Sequence, residues 1–523
     1  MKTLLRDLIW ILPAGLGTGL LLSLLGGGTW WIGWLAYSLL LVLGMLALSA
    51  LWRSAGTSRT LGLMLLLALV LRLGLGIAFS YILPAYGNDT DVQNAGYIFS
   101  DAYHRDTQAW TLASSGDSLL KAFDKSFSVD QYGGLLFAGS LLDRFLSPDA
   151  HRPWLMVVLS ALAGTIAVAF AYKAAQKVWG GSLSVVTGWI MALYPEAVLL
   201  GSSQMREPFL MAFVAMMFWG LATWAENRRT SIAWMTGSLV GLLLFHPGIA
   251  VAAVAVLAGW IWLSRKERRI PWWAWAGTLA ILVLAAGLFA WALRGSAPGK
   301  GGPISTLVNW IRYTTQYDSY VLEQNSGWVQ TIFSHVPKVF HLPFIIGYGI
   351  LQPVLPAAIG DVKAVWPMQT VGILRGLGWF AMLPFLIYCP FALWKMTDKR
   401  ERLAWFWLWI AMAVWMIISS ARGGGDQWDN PRYRAILLVF QAVLAAQVLN
   451  LQRITHSRGL GRLLAVEAVF VACFSAWTIS RYDASPAVLP LGGMAGAFVV
   501  VSALILLGDW LWVRYRGKKQ PAD

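Results

Sequence analysis

The chain is short of charged residues, of acidic residues relative to basic ones, and of cysteine. Charged residues make up 12% of its 523 residues, against roughly 25% in soluble domains. Cys389 and Cys473 both lie in apolar runs, which argues against a disulfide framework or a cysteine-based metal site. No A-x-A-like site follows the first apolar stretch, so we expect no cleavable signal peptide. The sequence also lacks the internal repeat expected of an inverted-repeat transporter.

What the chain has instead is a series of long apolar runs. It is 58% hydrophobic with a mean hydropathy of +0.61, and apolar stretches of about 18 residues or more recur along it. This pattern predicts an all-α polytopic membrane protein with about 14 transmembrane helices. The net charge of +15 does not indicate a nucleic-acid partner, because the Lys and Arg residues cluster in short loops on alternate sides of the predicted helices. They suit a cytoplasmic face and contact with anionic membrane lipids.

The basic loops predict that both termini are cytoplasmic in a multi-pass protein of the cell membrane. We divide the chain into an N-terminal helix pair, a transmembrane core, an extracytoplasmic or re-entrant segment and C-terminal helices, at 1–59, 60–294, 295–369 and 370–523. The apolar stretch at 341–357 contains three prolines, so a straight spanning helix is not expected there. Spanning helices are predicted at 7–26, 29–52, 60–83, 153–177, 182–201, 207–226, 231–246, 248–264, 272–293, 371–394, 403–421, 435–450, 463–480 and 490–513.

The longest polar stretch of the first half runs from 84 to 152 and is predicted to be extracytoplasmic. It holds nine Asp against five Lys and Arg, and it is too rich in aromatic residues for a disordered linker. A long polar loop between membrane helices is often a functional site. We therefore predict that this loop forms the active-site face, with short amphipathic helices near 107–122 and 131–147.

Two groups of acidic residues in this loop are candidates for chemistry. Asp89 and Asp91, two positions apart, suit one Mg²⁺ or Mn²⁺ ion, although a solvated pair or a turn cap explains them equally well. Asp101 and Asp106 are candidate general bases. The alternative for Asp106 is that it caps a helix over 107–115. All four are predicted catalytic residues, with His104 and Arg105 as phosphate ligands and Trp110 as a substrate-positioning aromatic.

Basic residues at two other predicted helix ends complete the candidate site. Arg206 and Glu207 begin a helix at Pro208, and an arginine at bilayer depth must be paired or line a wet cavity. Arg206 either pairs with Glu196 or Glu207 or binds a lipid phosphate, and Glu207 is also predicted to position the substrate. On the loop RGGGDQWDNPRYR, residues 422–434, Arg432 and Arg434 suit phosphate and Tyr433 suits a sugar, unless the three only anchor the chain at the interface.

Three segments of the sequence resemble a known enzyme class. They read YGGLLFAGSLLDRFLSPDAHRPWLMVVLSALAGTIAVAFAYKAAQKVWGG, GWIMALYPEAVLLGSSQMREPFLMAF and NPRYRAILLVFQAVLAAQ. They resemble GT-C glycosyltransferases, closest to the protein-mannosyltransferase and aminoarabinose-transferase branch, over roughly 60–230 and more loosely over 425–450. The resemblance implies a GT-C-like bundle that transfers a sugar from a polyprenyl-phosphate-linked donor to an acceptor at the outer leaflet.

The resemblance also implies that an aspartate of the first outer loop is the catalytic or acceptor-orienting group. Asp106 fits that role by its spacing to an aromatic residue and an alanine, and Asp89 or Asp91 fits by its position just after the helix. The chain departs from the usual plan in having two helices before the loop-bearing one. Two other classes remain open, a transporter or flippase of a lipid-linked substrate and a non-catalytic membrane assembly protein. The sugar and the acceptor are not specified by the sequence.

Overall fold

The fold was analysed in a computed structural model of the chain. The structure describes residues 2–124, 132–264, 333–483 and 489–517, with scattered positions between 276 and 320. Within these ranges the secondary structure is helical and no strand occurs. Nine of the described helices are long and apolar enough to cross a membrane, and the number is up to eleven if each of two bent pairs is one span. The prediction of an all-α polytopic membrane protein is therefore confirmed.

The first half of the chain forms twelve helices. A short 3-10 helix, Leu119–Phe123, lies between the fifth and the sixth. In chain order the α-helices are α1 Lys2–Gly26, α2 Trp30–Ser54, α3 Arg59–Tyr86, α4 Asp91–Asn94, α5 Ser100–Ser114, α6 Gly134–Leu146, α7 Trp154–Trp179, α8 Gly181–Leu193, α9 Pro195–Gly201, α10 Glu207–Ala222, α11 Arg228–Phe245 and α12 Pro247–Ser264.

The second half contributes eight described helices. They are α13 His341–Leu351, α14 Leu355–Gly360, α15 Trp366–Leu393, α16 Lys399–Gly423, α17 Asp429–Ala435, α18 Leu438–Thr455, α19 Gly459–Asp483 and α20 Leu491–Gly517. The helix predicted at 272–293 lies outside the described residues. The apolar stretch at 341–357 forms two short helices, and the longer one, with 11 residues, reaches only about 16 Å. It is too short to span a membrane as a single straight helix.

The core of the bundle is built on α7, which is rich in small residues. Alanine, glycine and serine side chains let neighbouring helices approach closely in a membrane protein. At Gly164 of α7, an added Cβ would lie 2.8 Å from Nε of Arg72, so only glycine leaves room for that side chain. Helices α3, α8 and α10 pack directly on α7. The result is a close-packed centre that fixes the helix ends at which the cleft described below is formed.

Arg72 shows how the first bent pair is stabilised. Helices α8 and α9 meet at an angle of 54°, with Pro195 at the first position of α9. Since proline has no N–H and a helix end leaves carbonyl groups unsatisfied, the break needs other donors. Arg72, which is buried, donates to the carbonyls of Met191 and Ala192 at 2.9 and 3.0 Å. The helix predicted over 182–201 is therefore bent, with an arginine of α3 satisfying the break.

Arg434 lies at the second bent pair and ties it to another helix. Helices α17 and α18 form an angle of 75°, and Arg434 lies just before the bend. Its guanidinium lies 3.7 Å from the ring centroid of Trp379 and donates to the carbonyls of Gly349, Ile350 and Gln352, the last by a short contact. These carbonyls end α13. Arg434 therefore joins α13 to the bend.

Candidate functional site

An open cleft of about 710 Å³ lies at the end of the bundle where α3 and α16 end and α10 and α15 begin. Its walls come from four parts of the chain that are far apart in sequence. The lining residues are Asn88, Thr90, Val92, Gln93, Ile98, Phe99, Ser100, Asp101, Arg105, Arg206, Met368, Arg422, Asp426, Trp428, Asp429, Arg432 and Tyr433. Five of them, Asp101, Arg105, Arg206, Arg432 and Tyr433, were predicted site residues, so the structure brings these five together.

A tight turn places α5 against the end of α3. Gly96 has a φ of +83°, a left-handed conformation that favours glycine. An added Cβ at Gly96 would lie 2.7 Å from Cα of Ser80 on α3, so a side chain does not fit. The turn returns the chain from α4 towards the bundle, and α5 begins at Ser100. Asp101 thus lies in the first turn of a helix, where the helix dipole favours a negative charge.

Asp101 lies between two guanidinium groups. Its Oδ2 atom accepts a hydrogen bond from Nη2 of Arg105, one helical turn later, at 3.1 Å. The same oxygen lies 3.0 Å from Nη2 of Arg432 on α17. Burial raises the pKa of Asp101, but the nearby charges of Arg105, Arg432 and Arg206 outweigh that effect, and the pKa lies below its ordinary value. Asp101 is therefore ionised throughout the physiological range.

Arg432 joins three carboxylates. Besides the contact with Asp101, its Nε lies 3.2 Å from Oε1 of Glu207, and its Nη1 lies 3.5 Å from Oδ1 of Asp429. The side chains of Arg432 and Glu207 are 7% and 1% exposed, so this pair lies almost entirely out of water. Losing one member of a buried pair leaves the other charge uncompensated. Arg432 therefore stabilises the fold through its buried pair with Glu207 and also lines the cleft.

Two further arginines reach the cleft beside an aromatic side chain. The guanidinium of Arg422, in the last turn of α16, lies 5.8 Å from the ring centroid of Tyr433, and that of Arg432 lies 5.2 Å from it. Arg206 lies 5.2 Å from the ring centroid of Tyr132. Arg422 was missed at the sequence level, where the only hint was its place at the start of the RGGGDQWDNPRYR loop. The cleft thus holds four guanidinium groups, of Arg105, Arg206, Arg422 and Arg432.

The expected partners of Arg206 are engaged elsewhere. Glu196 forms a buried bidentate pair with Arg375 of α15, at 2.6 and 3.1 Å. Arg375 also donates to the carbonyl of Trp428 at 3.0 Å and lies 4.5 Å from its ring centroid. Glu196 is therefore paired with Arg375, and Glu207 contacts Arg432. Instead, Glu196 and Arg375 hold the Trp428 wall of the cleft.

Asp426 organises the start of α17. Its Oδ1 accepts hydrogen bonds from the backbone N–H groups of Trp428 and Asp429 at 2.6 and 2.7 Å. Such local bonds cap the beginning of a helix. Burial raises the pKa of Asp426 above its ordinary value, although the backbone hydrogen bonds lower it in part. The capped turn fixes the direction in which Asp429 and Arg432 enter the cleft.

Asp106 lies in a different environment from Asp101. It is in the middle of α5, not at the start of a helix over 107–115, so the capping alternative is wrong. It is not among the residues that line the cleft, so the structure does not place it there with Asp101. Tyr97 donates to its Oδ2 at 2.5 Å, and Nε2 of His151 lies 2.7 Å from the same atom. The five-residue spacing on a helix turns the two side chains to different sides.

The surroundings of Asp106 form a second, buried cluster that the sequence did not indicate. Burial raises the pKa of Asp143 to about 7, and the nearby charge of Asp106 adds to this effect. Burial lowers the pKa of His151, but its contact with Asp106 and the charge of Asp143 outweigh that effect and raise it. The cluster thus holds a carboxyl group whose pKa is raised to about 7 beside an imidazole whose pKa is raised above its ordinary value.

The remaining predicted site residues lie outside the cleft. Asp89 and Asp91 are exposed, and Asp89 accepts a hydrogen bond from Asn94 at 2.9 Å. His104 is exposed on α5, with its ring 5.2 Å from that of Tyr103. Trp110 stacks on His151 with ring centroids 5.2 Å apart, and Arg434 donates to backbone carbonyls as described above. The structure therefore does not bring these five to Asp101.

A divalent cation at Asp89 and Asp91 finds few ligands in the structure. The residues that the structure describes contain no group of three or more His, Cys, Asp or Glu side chains arranged to hold a metal. Mg²⁺ and Mn²⁺ prefer about six oxygen ligands, of which an exposed pair supplies two. The metal at Asp89 and Asp91 stays a prediction, and no step proposed below is routed through a cation.

Comparisons with known proteins leave the function to be argued from the cleft. No family model matches the chain, and no curated protein matches its sequence. A solved structure of an Archaeoglobus fulgidus oligosaccharyltransferase, in complex with Zn and sulfate, overlaps with a TM-score of 0.38 and 13% sequence identity. The overlap covers 81% of this chain and 52% of that one, so the chain spans about half the length of this neighbour. An overlap this weak does not transfer a function.

Proposed function

We propose that the chain is an integral-membrane glycosyltransferase of the GT-C type. Its reaction transfers a sugar from a polyprenyl-phosphate-linked donor to an acceptor hydroxyl at the extracytoplasmic face. The observation that carries this proposal is the cleft at the bundle end, in which the carboxylate of Asp101 lies among four guanidinium groups. Two of the segments that resemble GT-C enzymes contribute to its lining, one through Arg206 and the other through Arg432 and Tyr433. A cleft at a bundle end lets an isoprenoid tail stay in hydrocarbon while its phosphate reaches polar side chains.

The arginines hold the donor phosphate. Arginine suits this role because its planar fork of N–H groups matches phosphate oxygens and keeps its charge at any physiological pH. Arg422 and Arg432 lie beside Tyr433, and Arg206 and Arg105 also line the cleft. Arg434 is removed from the predicted phosphate ligands because its donors are engaged with backbone carbonyls. Trp428 and Tyr433 offer aromatic faces to a sugar.

Asp101 orients and finally deprotonates the acceptor hydroxyl. The acceptor oxygen attacks the anomeric carbon of the sugar and forms the new glycosidic bond while the bond to the phosphate oxygen breaks. The electron pair of the broken bond leaves with the polyprenyl phosphate, whose charge the arginines stabilise. The hydroxyl proton passes to Asp101 and then to water. One base and one stabilised leaving group suffice for a single displacement, which inverts the anomeric centre.

The positive-inside pattern supports an extracytoplasmic cleft. Arg53 and Arg59 lie at the opposite end of α3 from the cleft residues Asn88 and Thr90. Basic loops face the cytoplasm in helical membrane proteins. With this orientation the cleft faces the outer leaflet, and both termini are cytoplasmic.

The proposal is tested by donor turnover. Membrane vesicles containing the full chain are given a panel of radiolabelled polyprenyl-phosphate-linked sugars and a membrane extract as the source of acceptor. Release of polyprenyl phosphate is expected for the wild type and a loss of about 10²- to 10⁴-fold for Asp101→Asn, the range typical of general-base removal. Asp117→Asn, an exposed residue paired with Lys121, is the matched control and keeps full activity. Equal turnover by wild type and Asp101→Asn contradicts the proposal.

A further inference from the structure

Asp101 and the proposed donor phosphate compete for the same guanidinium groups. Nη2 of Arg105 and Nη2 of Arg432 both contact Oδ2 of Asp101, at 3.1 and 3.0 Å, and both arginines line the cleft. The depressed pKa of Asp101 follows from these contacts. A carboxylate stabilised in this way binds a proton weakly, which makes it a poor general base. In the structure described here, the catalytic carboxylate is therefore held in a resting condition.

The other contacts of Arg432 allow it to change partners without leaving its place. Its Nε contacts Glu207 of α10 and its Nη1 contacts Asp429 of α17, so neither of these partners belongs to α5. If Nη2 turns from Asp101 to a phosphate oxygen, Arg432 keeps two carboxylate partners in its buried position. Arg105 has a side chain that is 5% exposed and approaches Asp101 along the helix axis as an i,i+4 pair. The Asp101 side chain is 38% exposed, so a phosphate oxygen that enters the cleft can approach Nη2 of Arg105 on the side of this contact.

We infer that binding of the donor phosphate withdraws Arg432 and Arg105 from Asp101 and thereby converts this carboxylate from a resting ion pair into the active base. This inference rests on the proposed function of the cleft and specifies its order of events. The donor must bind before the acceptor hydroxyl can be deprotonated. Until the donor phosphate is bound, Asp101 stays paired with the two arginines. It therefore does not activate water for hydrolysis of a donor whose phosphate has not yet reached them. No bond forms or breaks in this step, since only hydrogen-bond partners are exchanged.

The exchange predicts a change in proton affinity at one named carboxyl group. Loss of a single neighbouring cation typically raises a carboxyl pKa by about one unit or more, which is about a tenfold increase in the protonated fraction. Carbodiimides react with protonated carboxyl groups, so the labelling rate of Asp101 reports this fraction. Peptide mass spectrometry assigns the label to Asp101 separately from Asp426 and Asp429, which also line the cleft.

The experiment measures labelling of the full chain in detergent at a fixed, mildly acidic pH. The probe is a long-chain polyprenyl phosphate, and the control ligand is the polyprenol of the same length, which lacks the phosphate. Binding of both is measured in parallel by calorimetry. The expected result is that polyprenyl phosphate accelerates labelling of Asp101 about tenfold, whereas polyprenol leaves it unchanged. Inorganic phosphate at high concentration is a third arm and shows whether the phosphate alone is sufficient.

Two variants distinguish an exchange of the partners of Arg432 from a general loosening of the cleft. Arg432→Gln is expected to label quickly at Asp101 without any ligand and to gain little more on adding polyprenyl phosphate. Lys121→Gln, which removes an exposed cation near the same loop, is the matched control and behaves as the wild type. If Arg432→Gln does not fold, the wild-type comparison of the two lipids is sufficient by itself.

The outcomes distinguish the inference from the function on which it rests. Polyprenyl phosphate that binds without changing the labelling of Asp101 overturns the exchange and leaves the glycosyltransferase proposal standing. Polyprenyl phosphate that does not bind at all contradicts the donor class and therefore both proposals. Slower labelling on binding would mean that the phosphate strengthens the ion pair, which also overturns the inference.

Discussion

Helix α5 carries two aspartates, five residues apart, in opposite settings. Asp101 lines an open cleft and contacts two guanidinium groups, whereas Asp106 is buried against a tyrosine, a histidine and a second carboxyl group. The same side chain is thus stabilised as an ion in one place and held in a hydrogen-bonded cluster in the other. The difference teaches that an acidic residue in the predicted active-site loop is a site residue only when its helix face meets the substrate space. The two clusters also shift carboxyl pKa values in opposite directions: the pKa of Asp101 is lowered, whereas that of Asp143, beside Asp106, is raised.

The largest effect is expected from removing the arginine that joins the cleft carboxylates. Arg432→Ala leaves Glu207 charged, buried and without the guanidinium that it contacts. Loss of one partner of a buried pair typically costs about 3–5 kcal/mol of unfolding free energy. Thermal or denaturant unfolding in detergent should therefore show severe destabilisation. The double variant Arg432→Met with Glu207→Gln should recover much of the loss, and failure to do so would show that the charge is not the cause.

In the buried cluster around Asp106, neutralising Asp143 should stabilise the protein, which is the opposite of the effect expected for Arg432→Ala. Its raised pKa means that the folded chain binds a proton more tightly than the unfolded chain, so ionisation of Asp143 opposes folding as pH rises from about 4 to about 7. Asp143→Asn removes that opposition. The variant should gain about 1–3 kcal/mol of stability relative to the wild type between pH 5 and pH 8. Unfolding curves at both pH values test this, and parallel pH profiles for the two proteins would contradict it.

A smaller change is expected at the hydroxyl group that binds Asp106. Tyr97→Phe deletes the donor to Oδ2 and leaves the ring in place. Loss of one hydrogen bond to a charged group costs about 1–3 kcal/mol. Because Tyr97 does not line the cleft, turnover per folded molecule should stay within about twofold of the wild type. A loss of turnover as large as that of Asp101→Asn would place Asp106 in the catalytic machinery.

The smallest effect is expected at an ion pair outside both clusters. Lys121 and Asp117 are 2.9 Å apart, and each side chain is 45% exposed. Such pairs contribute about 0–1 kcal/mol, and salt screens them. Lys121→Ala should change the free energy of unfolding by less than about 0.5 kcal/mol and leave turnover of the donor unchanged. A larger change in unfolding free energy would mean that surface charge, and not burial, controls this part of the molecule.

The sequence predicts the spans of this protein better than its site. Long apolar runs and flanking charges are local signals, so α3, α7 and α16 begin and end within a few residues of their predicted positions. Arg206 and Arg432 were recognisable because a cation at membrane depth needs a partner. The bends at Pro195 and after Ala435 were not predicted, since the contacts made there join residues far apart in sequence, Arg72 with Ala192 and Arg434 with Ile350.

The assignment within α5 was missed for a geometric reason. A helix expected to begin near Thr107 would place Asp106 at its start, whereas α5 begins at Ser100 and gives that position to Asp101. Asp143 and His151 join Asp106 because α6 packs against α5 and the segment just before α7 reaches Asp106 through His151. Pairings of this kind depend on tertiary contacts, and a single sequence carries no local pattern for them.

The central claim, that Asp101 and not Asp106 performs the chemistry, is tested most directly by comparing their asparagine variants. Turnover of the polyprenyl-phosphate-linked donor is measured per folded molecule for Asp101→Asn and Asp106→Asn, with folded protein quantified by size-exclusion chromatography. The account predicts a loss of about 10²-fold or more for Asp101→Asn and a change of less than about tenfold for Asp106→Asn. Full activity of folded Asp101→Asn, or an equal collapse in folded Asp106→Asn, contradicts it.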